Sequence, residues 1–480
     1  MSAKKKQRAR GQKPGGDGRY ASYLVLLDVL ERDAWAQFSL QKITVQLQLE
    51  PRERQLASAL VYRTLEQYAG LKYRLEKRIK RGWKKLDLEV RVSLLLGLSQ
   101  TLYFERIPDS AAVNESVKLV RGAGKASAGG FVNGVLRGLI REPVNLPKHR
   151  PDLQYGISPW MWGKLTESLG PEEASAFMEA VNRPEPLSIR LNRLKLQDEQ
   201  RQEDLLQSLS EDGFKVTASP LVPHMYRLAG SAGLLLTERP EWEEGLFTIQ
   251  GEGAALAAYL LDVKPGIRVL DACAAPGGKT ALIAELMHNE GQIFAGDLQQ
   301  HRLQVMSATL DRLGADAKLL ESDAAALGSE DAPEVLREGG TFDRVLADVP
   351  CSNWGNLGSK PELRWRGDDE GLAELEALAG SILRASARMV KPGGRLVYST
   401  CTLNKGENQD LVEAFVRDSN GSWELVPAVT LPNLSTGVPN ADKRDRIMRQ
   451  AESGQLTLLP QHEGVPGFYI AVLERRMQIR

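Results

Sequence analysis

The stretch Val269-Leu270-Asp271-Ala272-Cys273-Ala274-Ala275-Pro276-Gly277-Gly278-Lys279-Thr280 constrains the chain more than any other. An apolar run ends at Asp271, a loop of small residues follows, and a helical pattern runs from Thr280 to His288. That is a strand, a glycine turn and a helix start. Two adjacent glycines let the backbone approach a ligand closely, and a helix N-terminus offers N–H groups without helical partners. In an open parallel sheet, the carboxyl end of the first strand is where a nucleotide-like cofactor sits. Two plainer readings compete. Gly278-Lys279-Thr280 supplies the ending of a phosphate loop, but that pattern needs a glycine where the chain has Cys273, so the match fails. The other is a strand-to-helix turn with no ligand, and the rest of the chain weighs against it.

Strand patterns recur after the turn. Gln292-Ile293-Phe294-Ala295-Gly296-Asp297 ends in an acid 19 residues beyond Gly278, a spacing that suits the ribose hydroxyls of a cofactor. Leu319 to Asp323 is a third strand, whose terminal Asp323 is placed to meet an adenine amino group. Phe342 to Asp348 is a fourth and Arg395 to Thr400 a fifth. Strands alternating with helical patterns predict an α/β fold with a doubly wound, mostly parallel sheet, Rossmann-like, from Gly245 to the end of the chain at residue 480. A single Asp at a strand end is weak evidence, because Asp is a good helix cap. Three beside a glycine-rich turn are harder to dismiss.

The chain ahead of this domain differs in character. Residues 1–150 hold 29 Lys and Arg against 14 Asp and Glu, whereas the rest holds 33 against 48, so the net charge of zero hides a basic front half. That asymmetry points to a polyanion partner, nucleic acid above all. Residues 1–17 are too basic and too rich in Gly and Pro to bury a core and read as a disordered arm. Residues 18–145 read as all helix, with apolar spacing over Tyr20–Arg32, a start at Pro51, an apolar helix from Val90 to Phe104 and an amphipathic one from Phe131 to Ile140. Lys72, Arg74, Lys77, Arg78, Lys80, Arg81, Lys84 and Lys85 interleave with Tyr73 and Trp83, which suits RNA phosphates and exposed bases. Residues 146–244 form a linker and a small α+β module, with a helix opening at Pro171-Glu172-Glu173 and a strand over Leu187–Asn192. Such a module either holds RNA or serves as a spacer. Residues 430–462, rich in Pro, Asn and charge, read as an insertion.

No run of 18 apolar residues occurs, so no membrane partner is expected, and the basic N-terminus lacks the apolar stretch of a secretory signal. Three cysteines suit a reducing cytoplasm, and five isolated histidines predict no metal site. With no coiled-coil repeat, a monomer is expected.

The chemistry gathers at the sheet edge. Asp348-Val349-Pro350-Cys351-Ser352 leaves the fourth strand and Ser399-Thr400-Cys401-Thr402 the fifth, so two of the three cysteines should face the crevice that the glycine turn faces. They are either small buried hydrophobes, the usual fate of a free cysteine, or reactive groups. A pyrimidine C5 is too weak a nucleophile to attack a methyl sulfonium directly. A thiolate that adds to C6 makes C5 nucleophilic; C5 takes the methyl group, a base removes its proton, and the thiol is eliminated. This scheme needs a nucleophile, an acid at the ring edge and a group for release. Spacing alone does not say which cysteine attacks.

Asp271 to Thr280, Asp348-Val349-Pro350-Cys351-Ser352, Ser399-Thr400-Cys401-Thr402, Gly406-Glu407-Asn408 and Gly467-Phe468-Tyr469 together resemble the RNA cytosine-5 methyltransferase family. Arg19-Tyr20-Ala21, Arg91 to Gly97, Arg106-Ile107-Pro108 and Asn133 to Arg137 resemble the NusB-type RNA-binding helical domain. The joined resemblance, over residues 18–475, is to the NusB-domain-containing members that methylate a cytosine in 16S ribosomal RNA. It implies S-adenosylmethionine held by Cys273, Ala274, Ala275, Pro276, Gly277, Gly278, Lys279, Asp297, Asp323 and Asp348. It implies Cys401 as nucleophile, Cys351 in product release, Asp348 at the cytosine edge, RNA and not DNA as partner. The chain departs from the family pattern at Val349 and over Asn353 to Lys360, where Lys360, Arg364 and Arg366 are left as candidate phosphate contacts. The competing functions are the same reaction on tRNA or 23S RNA, and a non-catalytic RNA-binding assembly factor.

Overall fold

The structure, a computed structural model, describes residues 17–80, 82–183, 185–230, 236–428 and 441–477. Apart from Asp17, the expected basic arm lies outside the described residues, as does Arg81. The chain divides into two compact units, Met1–Lys164 with Leu357–Arg366, and Leu165–Asn356 with Gly367–Arg480.

Among the described residues the first unit holds α1 (Gly18–Glu31), α2 (Ala36–Gln46), α3 (Pro51–Glu66), α4 (Tyr68–Arg78), α5 (Leu88–Tyr103), α6 (Asp109–Gly122) and α7 (Gly129–Arg141), then a short helix at Pro151–Tyr155 and the start of another at Pro159–Leu169. Asp17 caps α1, its carboxylate accepting from Arg19 N at 2.8 Å, and Pro51 occupies the first turn of α3. On α5 every residue from Val92 to Leu96 is fully buried. A helix apolar on all sides belongs in a core, and α5 packs against α1, α3, α4, α6 and α7.

The basic stretch is only partly available to RNA. The helix α4 stops at Arg78, and a tight turn (Trp83–Lys85) folds Trp83 into the core against Leu71, Leu75 and Val90. The expectation that Trp83 stacks on bases is therefore corrected: its indole fills the space that the end of α4 leaves. Arg74 donates to Val144 O at 3.1 Å and Arg78 pairs with Glu142 at 2.8 Å. Lys77, Lys80, Lys84 and Lys85 are exposed.

The segment Leu357–Arg366 belongs to this helical unit although it lies far along the chain. Arg364, fully buried, donates to the carbonyls of Leu357, Glu66 and Tyr155 at 3.2, 3.0 and 3.1 Å. Arg366 donates to Val29 O and Ala34 O at 3.1 and 3.0 Å. Glu362 accepts from Ala36 N at 2.8 Å, and Trp365 packs on Tyr68 with ring centroids 4.7 Å apart. Lys360 lies over the Trp35 ring. Arg364 and Arg366 are thus not phosphate contacts; backbone carbonyls use their donors.

The second unit holds two sheets. The smaller has four antiparallel strands, β1 (Leu187–Leu191), β2 (Lys215–Ala218), β3 (Met225–Ala229) and β4 (Phe247–Ile249), in the order β2-β3-β1-β4. The expected start of the catalytic domain at Gly245 falls inside this sheet, because β4 pairs with β1 through Ile189 and Ile249.

The larger sheet runs β5 (Arg268–Asp271), β6 (Gln292–Asp297), β7 (Lys318–Glu321), β8 (Phe342–Asp348), β9 (Val390–Thr400), β10 (Trp423–Leu425), β11 (Gln455–Leu458) and β12 (Phe468–Arg475). Its order is β10-β12-β9-β8-β5-β6-β7, with β11 on β12. The five strands from β7 to β9 in this order are parallel, and β12 joins β9 antiparallel. Successive residues serve opposite faces: Val269, Leu346 and Val397 pack with Leu256 and Leu282, whereas Leu270, Val345 and Leu396 pack with Ile382 and Leu383. Both faces are covered, which is why these strands read as unbroken apolar runs. The expected insertion 430–462 is partly regular, giving a helix at Ala441–Ser453 and the edge strand β11. Among the described residues no helix is long and apolar enough to cross a membrane.

Candidate active site

Strand order reverses between β5 and β8, so a crevice opens beyond their carboxyl ends. The turn after β5 spans that edge: Ala272 N donates to Leu346 O of β8 and Ala274 N to Gly296 O of β6, at 2.9 and 2.8 Å. Gly277 then adopts φ +99°, which only glycine takes without strain, and the helix Gly278–Leu286 begins.

Asp271 is fully buried. Its Oδ2 accepts from Thr280 Oγ1 at 2.8 Å, while its Oδ1 is buried with no hydrogen-bond partner in the protein. Burial pushes its pKa up to about 6, against the opposing pull of the Thr280 hydroxyl and Lys279. Asp297 ends β6, buried, paired with Arg302 at 3.2 Å. Arg302 also donates to Ala275 O at 3.0 Å, tying the turn to the end of β6. Asp323 lies two residues past β7, exposed, with one oxygen capping Ala325 N at 2.9 Å. Leu298, beside Asp297, is 63% exposed, an apolar surface at the strand edge that the sequence pattern did not single out.

Asp348 ends β8. Ser399 Oγ donates to its Oδ1 at 2.7 Å and Lys279 Nζ to its Oδ2 at 2.5 Å. Burial works against the Lys279 ammonium, but Asp348 outweighs it and the lysine pKa is raised. The helix start after β5 and the end of β8 are therefore joined by an ion pair.

The two cysteines meet. Cys351 Sγ and Cys401 Sγ are 3.4 Å apart, and Cys401 Sγ donates to Asn353 Oδ1 at 3.0 Å. The bond to Cys401, then burial, push the Cys351 thiol well up. Cys273 sits in the turn, and burial raises its thiol too, which keeps it neutral.

Glu407 braces both cysteine loops. Ser352, next to Cys351, donates from N and Oγ to its carboxylate at 2.9 and 2.5 Å, and Ser352 Oγ also bonds Thr402 Oγ1, next to Cys401, at 2.6 Å. Asn404 donates to Glu407 and to Glu376, and Asn408 donates to Thr402 O. Burial raises the Glu407 pKa. Gly467 N donates to Gly355 O at 3.0 Å, and a Cβ on Gly355 would stand 1.8 Å from Gly467 O. Gly406-Glu407-Asn408 and Gly467 thus brace the edge. Of the residues singled out in sequence, Asp348, Lys279, Cys351 and Cys401 come together here, and Asp271, Asp297 and the turn line the β5–β6 side. Asn353, Ser399 and Arg302 had no signal as site residues beyond lying in or beside the motifs.

Residues 258–474 match the family described as 16S rRNA methyltransferase RsmB/F, residues 18–141 the NusB family, and residues 158–233 the ferredoxin-like domain of RsmF/B-like methyltransferases. The chain is 34% identical to a probable ribosomal RNA small subunit methyltransferase B of Synechocystis sp., over 95% of this chain and 99% of that one. It is 31% identical to the protein of the same name from Bacillus subtilis, over 94% and 97%. The crystal structure of PH0851 is similar with a TM-score of 0.78 and 26% identity, over 97% of this chain and all of that one. With such identity over nearly the full length of both chains, this protein belongs to the ribosomal RNA small subunit methyltransferase B family, RNA methyltransferases that depend on S-adenosylmethionine.

Proposed function

We propose that the protein, acting as a cytoplasmic monomer, methylates C5 of a specific cytosine in 16S ribosomal RNA through a covalent bond between Cys401 and C6 of the ring. The observation that carries this reading is the pair of thiols 3.4 Å apart beside the Asp348–Lys279 ion pair. Two adjacent thiols suit a reaction in which one attacks and the other serves release.

The residues fit S-adenosylmethionine. Asp271 has a buried oxygen without a protein partner, Asp297 is a buried acid at a strand end, and Leu298 offers an exposed apolar side chain. Cys273 to Lys279, Asp297, Asp323 and Asp348 would hold the cofactor, which supplies an electrophilic methyl group when bound. Cys401 adds to C6, and electron density gathers at C5. Asp348, fixed by Ser399 and Lys279, faces the N3 edge of the cytosine and stabilises the altered ring. Cys351 then assists loss of the C5 proton and departure of Cys401. A base stacked inside a duplex cannot bring its C6 to a thiol set in a crevice at the sheet edge, so the target is unstacked when it reacts.

The test offers labelled S-adenosylmethionine with naked 16S RNA, 23S RNA, tRNA and 30S particles, and identifies the modified base by mass spectrometry. 5-Methylcytidine in 16S RNA alone is expected. Label in tRNA or 23S RNA would keep the chemistry and discard the substrate. No label despite cofactor binding would favour the RNA-binding assembly factor.

A further inference from the structure

Asn353 leaves β8 two residues after Cys351 with left-handed backbone, φ +61°, which asparagine adopts more readily than most residues. Its side-chain amide lies between the cysteines. Nδ2 donates to Cys351 O at 2.8 Å and Oδ1 accepts from Cys401 Sγ at 3.0 Å. The first bond fixes the second. A carbonyl oxygen only accepts, so the amide NH2 must face Cys351 O and the amide oxygen must face Cys401. An oxygen acceptor bonds a thiol and repels a thiolate. The Cys401 proton is therefore directed at Asn353, and the bond across the 3.4 Å gap takes its proton from Cys351. The result is a directional chain from Cys351 S–H to Cys401 S–H to the Asn353 oxygen, with both thiols neutral.

From this geometry we infer that Asn353 is a positioning residue that holds Cys401 as a protonated thiol in the resting enzyme, so that the nucleophile is freed only when substrate displaces the amide. The inference rests on Cys401 being the nucleophile. The charged and titratable groups around Cys401 include Cys351, the Lys279–Asp348 pair and, through Ser352 and Thr402, the carboxyl of Glu407. Lys279 favours the thiolate, and Asp348 and Glu407 oppose it. Asn353 bonds the neutral form directly, and a hydrogen bond to the neutral form disfavours ionisation. The arrangement keeps a reactive sulfur from oxidants and stray electrophiles between turnovers.

The experiment follows iodoacetamide alkylation of Cys401 against pH in the full-length, RNA-free protein, read on the Cys401 peptide by mass spectrometry. Asn353→Gly suits the left-handed backbone and removes the amide. It is expected to lower the midpoint by about one pH unit, so that alkylation below the midpoint quickens about tenfold. Asn353→Asp puts a carboxylate where the amide oxygen stands and is expected to raise the midpoint. An unchanged midpoint in Asn353→Gly overturns the inference. So does a uniform rise in rate at every pH, which would mean that the amide only shields the sulfur. Should the glycine variant not fold, Asn353→Asp decides alone, and a midpoint that does not rise overturns the inference. Formation of 5-methylcytidine by Cys401→Ala would instead refute the nucleophile assignment and leave the alkylation result standing.

Discussion

The turn after β5 and the loops after β8 and β9 occupy one edge of one sheet, yet different forces hold them. The β5 turn is held largely by backbone: its amides bond the ends of β6 and β8, and Gly277 supplies a conformation that other residues resist. The cysteine loops are held largely by side chains: Ser352 bonds Glu407 and Thr402 from about 50 residues away, Asn404 adds a bond to Glu407, and Asn353 joins Cys351 O to Cys401 Sγ. Backbone geometry binds a cofactor whose shape is constant. A side-chain lattice can set the spacing and protonation of two sulfurs, and it allows one change to alter the chemistry while the fold stands.

Substitutions on the two sides test that contrast. Cys401→Ala should have the largest effect, lowering methyl transfer at least about a thousandfold while cofactor binding, read by calorimetry, persists. Cys351→Ala should halt turnover at a later point and accumulate an RNA–protein adduct that survives denaturing electrophoresis; absence of the adduct would remove the release role.

Asp271→Asn probes the β5 side through pH. Its folded pKa, about 6, lies above the ordinary aspartate value of 3.8. The folded protein thus holds this proton more tightly than the unfolded chain. The associated stability is present below about pH 4 and is lost as pH rises through about 6. By neutral pH the loss is about 3 kcal/mol at most. In the absence of cofactor the asparagine variant should therefore melt higher than the parent at pH 7.5 and no higher at pH 3.5, while binding S-adenosylmethionine more weakly. A melting difference independent of pH would contradict the account.

Glu407→Ala should reduce kcat about 10–100-fold with little change in KM, since the sulfurs lose their spacing and not the substrate its contacts. Gly277→Ala should have the smallest effect. A positive φ costs a residue with a Cβ about 1–2 kcal/mol, and that Cβ would stand 2.8 Å from Met306 Cγ. A lower melting temperature and weaker cofactor binding are expected, with Cys401 alkylation unchanged.

The same contrast explains what the sequence disclosed. The glycine turn, the strands ending at Asp297 and Asp348, and the two cysteines were legible because backbone conformation and strand periodicity leave local marks. Trp83 was misread because helical spacing between lysines looks the same whether the indole faces bases or a core, and only the stop at Arg78 decides. Arg364 and Arg366 were misread because their partners, such as Glu66 O and Val29 O, are backbone atoms about 300 residues away, and no local pattern encodes such a bond. Glu407 and Gly467 were visible as parts of motifs, but nothing local said that one braces Ser352 and the other Gly355.

The segment Leu357–Arg366 has a consequence for synthesis. A helical unit whose core includes Arg364, Glu362 and Trp365 is incomplete when Lys164 leaves the ribosome. Its last piece arrives about 200 residues later, roughly 10–40 s at ordinary elongation rates. Until then the carbonyls of Glu66 and Val29 await their donors, and the front of the nascent protein matures only after the β8 strand has been translated.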